Sequence, residues 1–217
     1  MSRRTIIVNA DDLGYDPEID RGILEAFREG VVSSATAMVD TDFAPRSLGE
    51  APAGLGVGLH LVLAPELGGE ALDSEIDRQL RRFRELRGRP PTHLDSHKHA
   101  HARPAVLGAV ARAARAGGLP VRALDLPMRQ ALRAAGVRTA DAFLGDAALR
   151  PCWTVGRLEA ALEELGDGIT EIMTHPGYRP AVVQTSFGVE REVELGALCD
   201  PRIRTAIARL GIDLAHY

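Results

Sequence analysis

Short apolar runs alternate with helix-patterned stretches along the whole chain, and no other feature limits its fold as tightly. Residues 6–8 read as a buried strand. Asp16 then resembles an N-cap, with Pro17 at the first helical position and Ile19, Ile23, Leu24 and Phe27 at helical spacing before Gly30. Residues 31–39 read as a second strand, 45–50 as a short helix, and 55–62 as a glycine-punctuated third strand. Helices are expected over 75–87, closed by Gly88 and Pro90-Pro91, and over 105–116, opened by Pro104 and stopped by Gly117-Gly118. Residues 121–123 and a segment near Val137 or Ala142 read as the weakest strands. Thr154 caps a helix over 156–165, residues 169–174 form a strand, and a last helix (202–210) and strand (212–215) follow. Such alternation calls for a parallel sheet with right-handed crossovers. With about seven units in 217 residues, a TIM-like (β/α) barrel variant is favoured over an open sheet. The fold class is therefore α/β, with mainly parallel strands in a single domain over 1–217.

The bulk numbers narrow the partners. A formal charge of -4 gives no electrostatic reason to expect nucleic acid. The basic cluster at 78–84 is interleaved with acidic residues and patterned as a solvated helix face. Cys152 and Cys199 make neither a disulfide framework nor a metal-type pair, so a reducing, cytoplasmic compartment is expected. No apolar run reaches transmembrane length, and residues 1–5 lead straight into a strand instead of a signal-peptide core. A homo-oligomer stays open.

Polar residues gather where strands are predicted to end. Asp11 and Asp12 follow the first strand, His60 closes the third, and His175 closes a late one. Between them lies the tract His93, Asp95, His97, His99, His101, with a ligand-type residue at every second position. Each cluster alone has an ordinary explanation: turn residues for the aspartates, a satisfied core histidine for His60, a loop histidine for His175. In a parallel α/β fold, however, the carboxyl ends of the strands share one face, and that face carries the active site. Together these placements point to a site for a divalent metal, for which imidazole and carboxylate are common ligands. Adjacent aspartates on a strand point in different directions, so one can bind the metal while the other stays free as a base.

The motifs at 9–14, 58–61, 91–97 with His99 and His101, 174–177, and 191–195 with Leu198 occur in an order that resembles the YdjC-like carbohydrate deacetylases. That family includes chitooligosaccharide and hopanoid-biosynthesis deacetylases. The resemblance spans nearly the whole chain and implies a barrel that hydrolyses an N-acetyl group on an amino sugar. It implies Asp12, His60 and His97 as metal ligands, Asp11 as general base and His175 as general acid. Asp95, His99 and His101 are then expected to support the ligands or touch substrate. Arg191 is expected to steer Asp11 and keep it ionised, and Tyr15, Trp153 and Tyr178 are the sugar-stacking candidates.

Two imidazoles and one carboxylate favour Zn²⁺, with Mg²⁺, Mn²⁺ or Co²⁺ left open. The stretch between His60 and Thr92 is short for the family. With 4% aromatic residues, the expected substrate is a small N-acetylated sugar or glycolipid head group. The competing readings are a metal-dependent hydrolase of another amide or a phosphoester, and a non-catalytic metal-dependent sugar-binding protein.

Overall fold

The first apolar run extends further than residues 6–8. In the computed structural model, which describes residues 3–145 and 152–217, β1 covers Arg4–Leu13 and holds both aspartates within it. There follow α1 (Pro17–Arg28), β2 (Ser34–Ala37), α2 (Ala44–Glu50), β3 (Gly56–Leu61), α3 (Gly69–Arg87) and β4 (Leu94–Ser96). A 3₁₀ segment (His97–Ala102) leads to α4 (Pro104–Gly117), α5 (Leu126–Ala134), β5 (Ala142–Leu144) and α6 (Val155–Glu163). The chain ends with β6 (Gly168–Thr174), α7 (Val189–Cys199), α8 (Pro201–Arg209) and β7 (Asp213–Ala215). Residues 1 and 2, part of the N-terminal reading, lie outside the described residues.

All strand pairings are parallel, in the order β4-β3-β2-β1-β6-β5, with β7 set against β1. With β6 along one side, β1 is long enough to take two partners on the other. Its Thr5–Ile7 stretch pairs with β7, and from Asn9 onward it pairs with β2. Beyond β4 the sheet continues by one bridge, Leu94 to Val121, and Val121 N–H donates to the Arg138 carbonyl at 3.0 Å. A seam of single bonds stands where a closed barrel would have a ladder. The result is the TIM-like barrel variant, a single domain built on a parallel half-barrel, that the β/α alternation predicts.

The pleat sorts side chains by face. Val57, Leu59 and Leu61 of β3 are buried in one core with Ile19 and Ile23 of α1 and with Leu72, Ile76 and Phe83 of α3. Burying each such chain stabilises by roughly 1.5–3 kcal/mol. The alternate positions, Asn9, Asp11, Thr36, His60, His93, Asp95 and Glu171, are equally buried yet polar. The apolar core therefore lies between sheet and helices, and the barrel interior is a hydrogen-bonded network.

Beyond β1, the clearest differences from the sequence expectations are two boundaries and two helices. β2 is only Ser34–Ala37, because Val31 N–H bonds to the Leu198 carbonyl outside the ladder. α3 starts at Gly69, before the expected residue 75, without a side-chain cap to announce it. α5 was unforeseen although Asp125 caps it through Met128 N at 2.8 Å. α7 was also unforeseen, and its N-terminus has no side-chain cap. Among the described residues no helix is long and apolar enough to cross a membrane.

Candidate active site

Asp11 and Asp12 sit on neighbouring residues, whose side chains in a regular strand would leave opposite faces of the sheet. The β1–β2 register shifts between Ala10 and Leu13, and Asp12 has φ 75°. That bulge, with a non-glycine residue in the left-handed region, turns both carboxylates toward the barrel interior at a local conformational cost. Both are held, each by a different arginine.

Asp11 lies against Arg122, whose Nη1 and Nη2 donate to its two oxygens at 2.7 Å each. Arg122 also reaches Asp95 Oδ2 at 2.8 Å and Glu171 Oε1 at 2.7 Å, and all four residues are buried. Burial pushes the Asp11 carboxyl upward, but Arg122 outweighs it and holds the group below its ordinary range. Asp12 instead pairs with Arg191, Nη2 to Oδ2 at 2.5 Å. Arg191 was expected on Asp11. A bulge that aims two adjacent carboxylates at one cavity hides from the sequence which arginine meets which.

The expected ligand trio comes together. Asp12 Oδ1 lies 3.4 Å from His60 Nε2 and 3.3 Å from His97 Nδ1. One ligand atom from each of the three residues falls within 4.8 Å of the others. Asp95 Oδ1 accepts from His60 Nδ1 at 2.7 Å, which fixes the tautomer and leaves Nε2 facing Asp12. Thr36 Oγ1 donates to the other Asp95 oxygen at 3.0 Å.

These residues fit a divalent cation on three observations. Among the described residues the buried Asp12 Oδ1 has no hydrogen-bond partner, which is costly for a carboxylate unless a cation meets it. Around Arg122 and Arg191, four carboxylates (Asp11, Asp12, Asp95, Glu171) face two guanidiniums, so the arginines alone do not match them one for one. Burial works against a charge on His60, yet Asp95, Asp11 and Asp12 keep the metal-free ring protonated up to about 9. A cation on Nε2 would take that proton's place.

The trio opens into a cavity of about 260 Å³ at the carboxyl ends of the strands, lined also by Asp11, Tyr15, Ser96, Lys98, His99, His175 and Arg191. Gln184, Thr185, Ser186 and Phe187 form a further wall. The adjoining segment is tied down by Asp16, whose carboxylate accepts from the backbone N–H groups of Ala181, Val182 and Val183 while capping α1. His175 follows β6 and places Nε2 4.0 Å from Asp11 Oδ2. Glu194 fixes its loop by accepting from His175 N–H at 2.6 Å.

The other expected residues divide. Tyr15 and His99 face the cavity, and Asp95 sits beneath His60. His101 is buried away from it, its Nδ1 2.6 Å from Ser96 Oγ, and burial keeps its ring neutral down to about 3. Tyr178 is turned aside: its hydroxyl donates to Glu25 at 2.6 Å and Arg21 stacks on its ring. Trp153 is packed in the core with its Nε1 donating to the Met173 carbonyl at 2.8 Å. Neither Tyr178 nor Trp153 lines the cavity. The sequence reading missed Arg122, Glu171 and Glu194. A lone charge inside an apolar run such as 119–123 or 169–173 is the signal for the first two, because a buried charge needs a buried partner.

Fold and cavity together define a parallel β/α barrel protein with a prospective cation site at the carboxyl ends of its strands. The chain belongs to the YdjC-like protein family, whose sequence model matches residues 5–69 and 64–209. The two matches overlap over residues 64–69, where α3 begins. The chain is 37% identical over 245 residues to a carbohydrate deacetylase of Geobacillus stearothermophilus, covering 99% of this chain and 97% of that protein. It is 34% identical over 252 residues to a chitooligosaccharide deacetylase of Serratia marcescens, covering 99% and 98%. A crystal structure from Enterococcus faecalis V583, described as a candidate cellobiose-phosphate cleavage protein, superposes with a TM-score of 0.87. It shares 28% identity, with 100% of this chain and 98% of that one covered. A Streptococcus mutans CE4 esterase, 18% identical with a TM-score of 0.61 over 99% and 86% of the two chains, shares the fold.

Proposed function

We propose that this protein is a metal-dependent deacetylase that hydrolyses the N-acetyl group of an amino sugar. The observation that carries the reading is the division of labour between the two adjacent aspartates. Asp12 keeps one oxygen unpartnered between His60 and His97, whereas Asp11 is clamped beside His175 at the cavity edge. Relatives named carbohydrate deacetylase and chitooligosaccharide deacetylase support the substrate class.

Asp12, His60 and His97 would hold one divalent cation, and this donor set favours Zn²⁺. When bound, such a cation lowers the pKa of water and polarises an amide carbonyl. Asp11, kept ionised by Arg122, accepts the proton of the attacking water. A C–O bond forms at the acetyl carbon, the C–N bond breaks, and His175 protonates the departing nitrogen so that acetate and a free amine result. Arg191 holds Asp12 in place, and Asp95 keeps His60 in the ligating tautomer. At about 260 Å³ the cavity is small for a ligand pocket and suits a single sugar ring with its acetamido group, walled by Tyr15 and Phe187. Cys152 and Cys199, both without a disulfide, accord with a cytoplasmic setting.

Acetate release from N-acetylglucosamine and short chitooligosaccharides, with and without chelator, tests the reading. It predicts release that chelator abolishes and added metal restores. No release together with metal-dependent phosphatase activity would replace it with the phosphoester alternative, and sugar binding without turnover would leave the non-catalytic one.

A further inference from the structure

We infer that Glu171 and Tyr217 are positioning residues for Asp11, acting through the Arg122 guanidinium. The inference rests on the reading of Asp11 as the base. Arg122 follows a single-residue bridge, not a full strand, so the sheet does little to fix where its long side chain points. Its planar fork can face Asp11 with two parallel bonds only if the plane is held. From the cavity side Asp11 and Asp95 hold Nη1 and Nη2. Among the hydrogen bonds of the described residues, Nε is held by Glu171 Oε1 at 2.7 Å.

Glu171 is held in turn. Its Oε2 accepts from the Tyr217 hydroxyl at 2.6 Å, and the Tyr217 ring stacks on His93 with centroids 4.0 Å apart and planes 19° from parallel. His93 has room there because Gly58 lacks a Cβ, which would lie 2.5 Å from the imidazole ring. β7 delivers Tyr217 to this place by pairing with the first half of β1. A continuous chain of contacts therefore runs from the floor of the barrel to the edge of the cavity. Every polar atom of the Glu171 carboxylate and of the Tyr217 hydroxyl is committed to it, and neither residue lines the cavity. Loss of Glu171 would leave a buried N–H of Arg122 unpaired and free the fork to swing, moving Asp11 from its alignment, while Asp95 stays bonded to Thr36 and His60 and so keeps the ligand trio in place.

The test compares Glu171→Ala, Glu171→Gln and Tyr217→Phe with the wild-type protein in acetate release, metal content and crystal structure. Glu171→Ala is expected to lower kcat on the order of 10²-fold, the cost of about 1 Å of misplacement, with KM and bound metal unchanged. Glu171→Gln restores most of kcat, since an amide oxygen still accepts from Arg122 and its NH₂ donates to the Tyr217 oxygen. Tyr217→Phe falls between them and carries the test if Glu171→Ala does not fold. Wild-type kcat in Glu171→Ala or, failing that, Tyr217→Phe, a loss confined to KM or metal, or Glu171→Gln as slow as Glu171→Ala would overturn the inference. If wild-type protein releases no acetate, the deacetylase reading fails. The variant structures still decide this point, by whether Asp11 has left its paired contact with Arg122.

Discussion

Beneath the cavity, the Arg122 guanidinium meets Asp11, Asp95 and Glu171 at 2.7–2.8 Å, and Tyr217 completes Glu171. Toward the cavity, Asp12 keeps an oxygen that has no hydrogen-bond partner among the described residues, between two imidazoles. Each group holds a buried carboxylate, yet the lower one is satisfied by the protein itself and the upper one is not. A buried network that closes on itself specifies geometry. A carboxylate oxygen beside two histidines, with no protein hydrogen bond of its own, is the donor set that the proposed function assigns to a divalent cation. Asp11 stands at the boundary, which suits a base that must be held firmly and still reach a water.

The largest way to break this contrast is to remove the centre of the lower layer. Arg122→Met leaves three buried carboxylates without their cation and should cost about 3–5 kcal/mol in urea unfolding, with turnover lost as well. A stability close to wild type would mean that the lower layer is not held by Arg122. Next in size, Asp11→Asn should keep its metal and lose about 10²–10⁴-fold in turnover, whereas His60→Ala should lose the metal. Equal metal loss in both, read by elemental analysis, would erase the division between the layers.

A smaller effect appears as pH dependence. Burial holds His93 and His101 neutral in the folded protein down to about 3, while in the unfolded chain they take a proton near 6.5. The unfolded state therefore binds more protons between those values, and stability falls as pH drops from about 6.5 toward 3. His101→Asn should flatten that slope by up to about 1.4 kcal/mol per pH unit, measured by denaturant midpoints across the window. An unchanged slope would show that the ring already takes a proton in the folded state. Smallest, Asp16→Ala should cost about 1 kcal/mol through the lost cap and raise KM, because the segment walling the cavity loses its three-bond anchor. An unaltered KM would separate Asp16 from substrate binding.

The parallel barrel and the gathering of Asp11, Asp12, His60, His97 and His175 on one face were legible from period, as strands alternating with helices and ligand-type residues at strand ends, while the choice of Asp12, His60 and His97 as a trio came from the family resemblance. The lower layer was less so. Arg122 and Glu171 each appear once within an apolar run, and nothing local says that they meet across 49 residues. The β1 bulge was equally hidden, since a regular strand would separate the two aspartates, and this is why Arg191 was matched to the wrong one. The contacts of Tyr178 were hidden for another reason: nothing local to residues 175–178 says that Arg21 and Glu25 of α1 meet its ring and its hydroxyl outside the cavity lining.

Anomalous diffraction from a metal-loaded crystal tests the central claim most directly. A single peak within coordination distance of Asp12, His60 and His97, with Asp11 still paired to Arg122, is the expected result. A peak coordinated by His99 or His101, or by Asp11 and Asp95 after displacement of Arg122, would contradict it.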